Sequence, residues 1–145
     1  MRTRVRKAFT LVEILIVVVI LGILAAIVVP QFTGATQDAQ AGNIQSQIET
    51  ISNQLELYRA RNNTYPDLVA DQWGAVGTAG TMIGDGYVKA NASGGGPINP
   101  YTKSDLIVAD GSQDETHGWT WDAANGIFGA VMFDEVNGEI TPGTP

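Results

Sequence analysis

The sequence contains no cysteine and one histidine among its 145 residues. Without cysteine the chain forms no disulfide, and thiolate metal sites and cysteine nucleophiles are excluded. The single histidine, His117, is close in sequence to Ser112 and Asp114. Such a local cluster does not predict a catalytic triad, which is defined by the spatial roles of its members. We therefore predict that the protein is not an enzyme.

Positive charge is also scarce, and half of it lies at the very start of the chain. The eight cations divide into four before position 8 (Arg2, Arg4, Arg6 and Lys7) and four after it (Arg59, Arg61, Lys89 and Lys103). They are outnumbered by 15 acidic residues, which gives a net charge of −7. A protein that binds nucleic acid needs a basic stripe to displace counterions from the phosphates. The sequence therefore predicts no nucleic-acid partner.

One long apolar run contrasts with these absences. Residues 9–29 contain a single charged side chain, that of Glu13. A helix of about 20 residues, rising about 1.5 Å per residue, spans the roughly 30 Å hydrocarbon core of a bilayer. We therefore predict a transmembrane helix. Glu13 needs a functional explanation, because a carboxylate in lipid is costly.

Three simpler interpretations of this run explain less of it. A secretory signal peptide has an apolar region of roughly 7–15 residues, which is shorter than this run. A core helix of a soluble protein would also be shorter. An ordinary single-pass anchor fits the length but leaves Glu13 unexplained. The basic residues before the run predict that the N-terminus stays in the cytoplasm and that the rest lies across the membrane.

The residues around Glu13 resemble the N-terminal motif of the type IV pilin superfamily, which includes type IV pilins and the pseudopilins of type II secretion. Precursors in that superfamily carry a short basic leader, a small residue and then Phe-Thr-Leu-x-Glu at the start of an apolar helix. Here Ala8 precedes Phe9-Thr10-Leu11-Val12-Glu13. The resemblance implies that a prepilin peptidase cleaves between Ala8 and Phe9, and that the new amine of Phe9 is methylated. Ala8 departs from the glycine that usually precedes the cut.

The resemblance also implies a function, closest to that of a major pseudopilin of type II secretion. Such a subunit polymerises through its N-terminal helix into a filament that drives protein secretion, together with an assembly platform and minor pseudopilins. Glu13 would meet the amine of Phe9 in a neighbouring subunit, whereas the residues alone equally allow pairing within one helix. Alternatives are a type IV pilin of a surface fibre for adhesion, motility or DNA uptake and, from another class, a single-pass membrane-anchored binding protein. The implied location is the inner membrane, with the C-terminal head in the periplasm.

A second helical pattern follows the apolar run. Apolar residues recur at spacings of three and four, which predicts one apolar face along a helix; they are Ile44, Ile48, Ile51, Leu55 and Tyr58. Pro30 removes one backbone hydrogen bond and predicts a kink, with a simple end to the membrane span as the alternative. We divide the chain into a leader (1–8), a long helix (9–62, transmembrane over 9–29) and a head (63–145).

The last third of the chain predicts strands. Apolar or alternating runs occur at 106–109, 119–121, 127–133 and 139–141, and Asn-Gly turn signals occur at 125–126 and 137–138. A small head of this kind needs the apolar face of the helix to complete its core. The predicted fold is α+β, a long N-terminal helix packed on a small antiparallel sheet of three or four strands.

One acidic loop precedes the tryptophan-rich strand. Asp110, Asp114 and Glu115 place several oxygens within six residues, and Ca²⁺ takes six to eight hard oxygen ligands. Major pseudopilins carry a calcium site in a loop of the C-terminal sheet, so the resemblance makes these residues calcium candidates. The spacing matches no EF-hand, and a solvated acidic turn is the alternative. No other cofactor is predicted.

Overall fold

The computed structural model describes residues 9–111 and 114–141, apart from the side chains of residues 29–33. The described residues contain one helix and five strands. In chain order these are α1 (Leu11–Asn62), β1 (Ile107–Ala109), β2 (Trp119–Asp122), β3 (Ile127–Ala130), β4 (Phe133–Asp134) and β5 (Glu139–Ile140). A long N-terminal helix followed by small sheets confirms the predicted α+β class.

The chain forms two compact units, with the boundary between Thr36 and Gln37. The described part of the first unit is the apolar beginning of α1, and the second unit is the head with the remainder of α1. The backbone of α1 is helical without interruption from Leu11 to Asn62. The kink at Pro30 stays a prediction, because that side chain lies outside the described residues.

The second part of α1 carries the apolar face that the sequence predicts. Its five apolar residues are all buried: Ile44, Ile48, Ile51, Leu55 and Tyr58. They form one cluster with residues of the head. The helix ends where Asn63 adopts a left-handed φ of 59° and its N–H donates to the Arg59 carbonyl at 2.8 Å. Asparagine tolerates this C-terminal cap conformation better than most residues.

The segment between α1 and β1 has neither helix nor strand, yet buried side chains hold it in place. Asn99 is fully buried, and its amide donates to the Gly118 carbonyl at 2.7 Å and accepts from the Tyr101 N–H at 2.8 Å. In the glycine-rich loop at 93–97, Gly96 is buried. A Cβ on Gly96 would lie 2.2 Å from the Trp73 ring, so only glycine fits there.

The sheets differ from the predicted antiparallel arrangement in one strand. The order is β1-β2-β3, in which β2 and β3 pair antiparallel but β1 and β2 pair parallel. Parallel neighbours usually need a long crossover. Here β1 has three residues, about 10 Å at the usual rise per residue, so the loop from 110 to 118 is long enough to return. The first sheet is therefore mixed.

The predicted strand at 127–133 is interrupted. Met132 adopts a left-handed φ of 59°, which ends β3 at Ala130 and directs Phe133 into β4. Strand β4 pairs antiparallel with β5 in a second, two-stranded sheet. Both Asn-Gly turns form, one between β2 and β3 and the other between β4 and β5.

The two tryptophans of β2 lie at the centre of the core. Trp119 and Trp121 are both buried. Trp119 stacks on Phe128 of β3 at a centroid distance of 5.4 Å, and Trp121 meets Tyr65 edge-to-face at 5.3 Å. Thr120 between them is also buried, so β2 is covered on both faces.

Candidate functional site at the start of the helix

The first residues of α1 form a reciprocal hydrogen-bonded cap. Thr10 immediately precedes the helix, and Glu13 is its third residue. The backbone N–H and the hydroxyl of Thr10 donate to Oε2 of Glu13 at 2.8 and 2.9 Å. In return, the backbone N–H of Glu13 donates to the Thr10 hydroxyl oxygen at 3.3 Å. This arrangement is a capping box, which satisfies backbone donors that a helix start leaves unpaired.

The capping box gives Glu13 a local role that our sequence interpretation missed. The signal was present, because Thr-x-x-Glu before an apolar run is the sequence pattern of a capping box. A carboxylate in the first turn also interacts favourably with the positive end of the helix dipole. The cap fixes the carboxylate within the first turn, close in sequence to Phe9. Ala8, on the other side of the predicted cleavage point, lies outside the described residues.

The apolar start of α1 is exposed on every side. By length and composition, the helix from Leu11 to Val28 can cross a membrane. Each of its large apolar side chains is more than 40% exposed, and Leu24 is 53% exposed. A continuous apolar surface of this size is rare on a soluble monomer and marks a membrane or protein interface. The chain itself does not cover this surface within the described residues.

The calcium candidates of the acidic loop are not brought together. Within residues 9–111 and 114–141, no three His, Cys, Asp or Glu side chains form a group suited to a metal ion. Asp110 lines a cavity with Glu135, where burial, reinforced by the charge of Asp110, raises the pKa of Glu135. Ser112 and Gln113 of the same loop lie outside the described residues. Calcium binding therefore stays a prediction.

Asp114 is engaged within its own loop. Its carboxylate accepts hydrogen bonds from the Thr116 N–H at 2.9 Å and the Thr116 hydroxyl at 2.7 Å, and contacts Nδ1 of His117 at 3.0 Å. The hydrogen bonds from Thr116 are the main cause of a lowered pKa of Asp114, and His117 is a smaller cause. The Asp114–His117 pair is thus part of an exposed turn, and Ser112 is outside the described residues.

Comparison with known proteins identifies the class of the N-terminal segment. A family model described as the prokaryotic N-terminal methylation motif matches residues 3–29. This range includes residues 3–8 of the basic leader, Phe9, the capping box and the exposed apolar helix. The predicted resemblance to the type IV pilin superfamily is therefore confirmed at the residues on which it rests.

Individual relatives point to one branch of that superfamily. The chain is similar to the type II secretion system core protein G of Aeromonas hydrophila, with 42% identity over 66 residues, and of Pseudomonas aeruginosa, with 44% over 66 residues. Each match covers 46% of this chain and 46% of the relative. The core protein G of Escherichia coli is 39% identical over 61 residues, which is 42% of each chain.

The chain thus aligns with less than half the length of these curated relatives. No solved structure matches it. The likeness confirms the predicted resemblance to type II secretion pseudopilins.

Proposed function

We propose that this protein is a pseudopilin subunit, which polymerises through its N-terminal helix into a filament that drives type II protein secretion. The observation that carries the proposal is the apolar, exposed surface from Leu11 to Val28, with the capping box at its start. That surface needs a lipid environment before assembly and neighbouring helices after it. The similarity to proteins named type II secretion system core protein G supports this choice among filament subunits.

Processing is the first step of the proposed function. A prepilin peptidase removes residues 1–8, and Phe9 becomes an N-methylated terminus. Loss of the leader removes four cations and lowers the net charge from −7 to −11. Mass spectrometry of the chain co-expressed with a prepilin peptidase should find Phe9 at the methylated N-terminus. An intact Met1, or a cut near Ala25, would contradict the proposal.

The proposed location is the inner membrane. Positive residues beside a membrane segment stay in the cytoplasm, which places the leader inside and the head in the periplasm. The partners are then further copies of the chain, the peptidase, the assembly platform and minor pseudopilins. Protease added to spheroplasts should digest the head and leave the leader protected in an uncleaved variant.

Glu13 has two possible partners for its charge. The mature amine of Phe9 is cationic near neutral pH, since an α-amino group titrates near pH 7.7–8.0. Within one subunit Glu13 caps the helix and lies four residues from that amine. Between subunits, the amine of a neighbour supplies a gross attraction of about 4 kcal/mol at 4 Å and an effective dielectric of 20, before desolvation is subtracted. We propose the intersubunit pair, because it links burial of the charge to assembly.

Three substitutions separate capping from intersubunit pairing. Glu13→Ala removes both the charge and the cap acceptor, whereas Glu13→Gln keeps an acceptor oxygen and removes only the charge. Thr10→Ala breaks the cap and leaves the charge. Under our proposal both Glu13 variants insert and are cleaved but build no filaments, while Thr10→Ala still assembles.

The assay counts sheared or imaged filaments made by each variant with the assembly machinery, beside wild type. Normal filaments from Glu13→Gln together with failure of Thr10→Ala would assign the role of Glu13 to capping. Normal filaments from Glu13→Ala would exclude both roles. A surface fibre that forms without the secretion machinery would instead favour a type IV pilin.

A further inference from the structure

The two hairpins of the head repeat one turn motif. Each carries the pattern Asp-x-x-Asn-Gly, and the second copy follows the first by twelve positions. An aromatic residue precedes the aspartate in both copies. The members of the two turns are Asp122, Asn125 and Gly126 in the first, and Asp134, Asn137 and Gly138 in the second.

In the first turn, the carboxylate of Asp122 accepts three hydrogen bonds, two of them from Asn125. Its Oδ1 accepts from the backbone N–H groups of Ala124 at 2.9 Å and Asn125 at 3.2 Å. Its Oδ2 accepts from the side-chain amide of Asn125 at 2.6 Å. The N–H of Gly126 donates to the Asp122 carbonyl at 2.8 Å, and φ of Gly126 is 69°.

The second turn has the same contacts. Oδ1 of Asp134 accepts from the N–H groups of Val136 at 2.9 Å and Asn137 at 3.2 Å. Oδ2 accepts from the side-chain amide of Asn137 at 2.7 Å. The N–H of Gly138 donates to the Asp134 carbonyl at 2.8 Å, and φ of Gly138 is 67°.

An Asn-Gly bond is chemically labile, since glycine has no side chain to shield its nitrogen or restrict its backbone. The glycine nitrogen attacks Cγ of the asparagine and loses its proton. The bond from Cγ to the side-chain nitrogen breaks, and ammonia leaves with that proton. Water then opens the cyclic imide to give aspartate or isoaspartate. The reaction needs only water, and it converts a neutral amide into a carboxylate.

The aspartate of each turn opposes this reaction. In the first turn the proton that Gly126 must lose is held in a hydrogen bond, and the amide of Asn125 that must leave is held by Asp122. A nearby negative charge also disfavours the anionic form of the attacking nitrogen. The contacts of the second turn impose the same constraints. Deamidation in either turn therefore requires that the turn first open.

The two turns differ in how much structure holds them closed. The first joins β2 and β3, which pair over four residues within the three-stranded sheet. Tyr65 packs over Gly126, where an added Cβ would lie 2.5 Å from its ring. The second joins β4 and β5, which pair over two residues. An added Cβ at Gly138 would meet no described atom within 4 Å, and Val136 beside it is 94% exposed.

We propose that Asn137 is a spontaneous deamidation site of the folded head, and that Asn125, in the same motif, is protected. Strands β4 and β5 pair over only two residues, and Phe133 and Ile140, which pack against the core, are only partly buried. This hairpin therefore opens locally more often than a strand pair within the core. Once Asn137 is converted, its side-chain amide, which donates a hydrogen bond to Asp134, is replaced by a second carboxylate. The two negative charges repel, which keeps the hairpin open after modification.

The test follows both sites in one molecule. Full-length protein in detergent is incubated at mildly alkaline pH, and peptide mapping by mass spectrometry measures aspartate and isoaspartate at positions 125 and 137 over time. We expect conversion at 137 to be several-fold faster than at 125. In urea the two rates should approach each other, because the turns that distinguish the sites are then absent. Asn137→Gln should abolish the signal at 137 and leave that at 125 unchanged.

Aspartate variants test the protective contact. Asp134→Ala should accelerate conversion at 137 alone, and Asp122→Ala at 125 alone. Circular dichroism shows whether a variant has unfolded. An unfolded variant should deamidate at both sites at the rates found in urea. The proposal is then decided by the ratio of the rates at 137 and 125 in the folded wild-type protein. Equal rates at the two sites of the folded wild type would overturn the proposal. A folded Asp134→Ala variant with an unchanged rate at 137 would exclude the role of Asp134.

Discussion

The two parts of α1 are built from similar residues and yet use them in opposite ways. Leu24 in the first part is 53% exposed, whereas Leu55 in the second is 1% exposed. Around Leu24 apolar residues cover the whole circumference of the helix, and around Leu55 they occupy one face. A helix that is apolar on all sides needs an apolar environment on all sides, whereas a striped helix needs one packed partner.

The difference shows where each part finds its partner. The second part packs on the core of the head, which is encoded in the same chain. The first part has an apolar surface that the described residues of the chain do not cover. Under the proposed function, lipid covers that surface in the membrane and neighbouring subunits cover it in the filament. Under that proposal, one helix combines a folding role with an assembly role.

The largest expected effect comes from the same substitution made in the two parts. Leu55→Ala should lower the free energy of unfolding of the head by about 2–5 kcal/mol, the usual cost of removing a buried leucine side chain. Leu24→Ala should leave it nearly unchanged, since the side chain of Leu24 is exposed and removing it leaves no cavity. Urea unfolding of the full chain in detergent, followed by tryptophan fluorescence, measures both.

Leu57→Ala provides a matched control, because Leu57 lies on the same helical part as Leu55 but is exposed. It should behave like Leu24→Ala in this assay. A loss of head stability from Leu24→Ala as large as that from Leu55→Ala would contradict the division of roles within α1.

Calcium should stabilise the head and not the apolar part of α1, and this effect on stability should be of intermediate size. The structure does not bring Asp110, Asp114 and Glu115 together, so we propose that Ca²⁺, when present, draws them together in the folded head. Binding to the folded state alone would stabilise it by about 2.7 kcal/mol at a calcium concentration one hundred times the dissociation constant. The melting temperature of the full chain is compared in calcium and in chelator, with Asp110→Asn as the control variant. Identical melting temperatures up to millimolar calcium would exclude the site.

The sequence predicts the parts of the molecule that depend on residue periodicity. The buried face from Ile44 to Tyr58 follows from helical spacing, and the existence of β2 follows from the alternating pattern at 119–121. The methylation motif was predicted from its resemblance to the type IV pilin superfamily, which rests on the basic leader and on Phe9-Thr10-Leu11-Val12-Glu13. These features depend on residues that are close together in the sequence, so they can be predicted without knowledge of the tertiary contacts.

Features that depend on distant contacts were not predicted. The parallel pairing of β1 depends on how a nine-residue loop returns, and the break at Met132 depends on a backbone conformation that is rare for methionine. The tight packing of Gly96 against Trp73 became visible only in the structure. At the candidate site, the Thr10–Glu13 cap was within reach of the sequence, because its spacing follows a known pattern.

The smallest expected effect is a pH dependence that belongs to the head. Hydrogen bonds from the side chain and backbone of Asn125 lower the pKa of Asp122, and those from Asn137 lower the pKa of Asp134. The folded state therefore binds these protons more weakly than the unfolded chain. Their stabilisation is present above the unfolded pKa of about 3.9 and is lost as the pH falls through the folded value.

Glu135 should act in the opposite direction. Burial, with the charge of Asp110 as a second cause, raises its pKa, so its contribution is present at low pH and is lost as the pH rises through the folded value. Unfolding free energies measured between about pH 3 and pH 7 should therefore fall less steeply towards acid in Asp122→Asn than in wild type. In wild type, ionisation of Glu135 should lower the stability as the pH rises through its folded pKa. Glu135→Gln should lack this decrease. If both variants kept the wild-type profile, the turn and cavity carboxylates would have no measurable part in the acid sensitivity of the head. The pH dependence would then have to come from the remaining acidic residues.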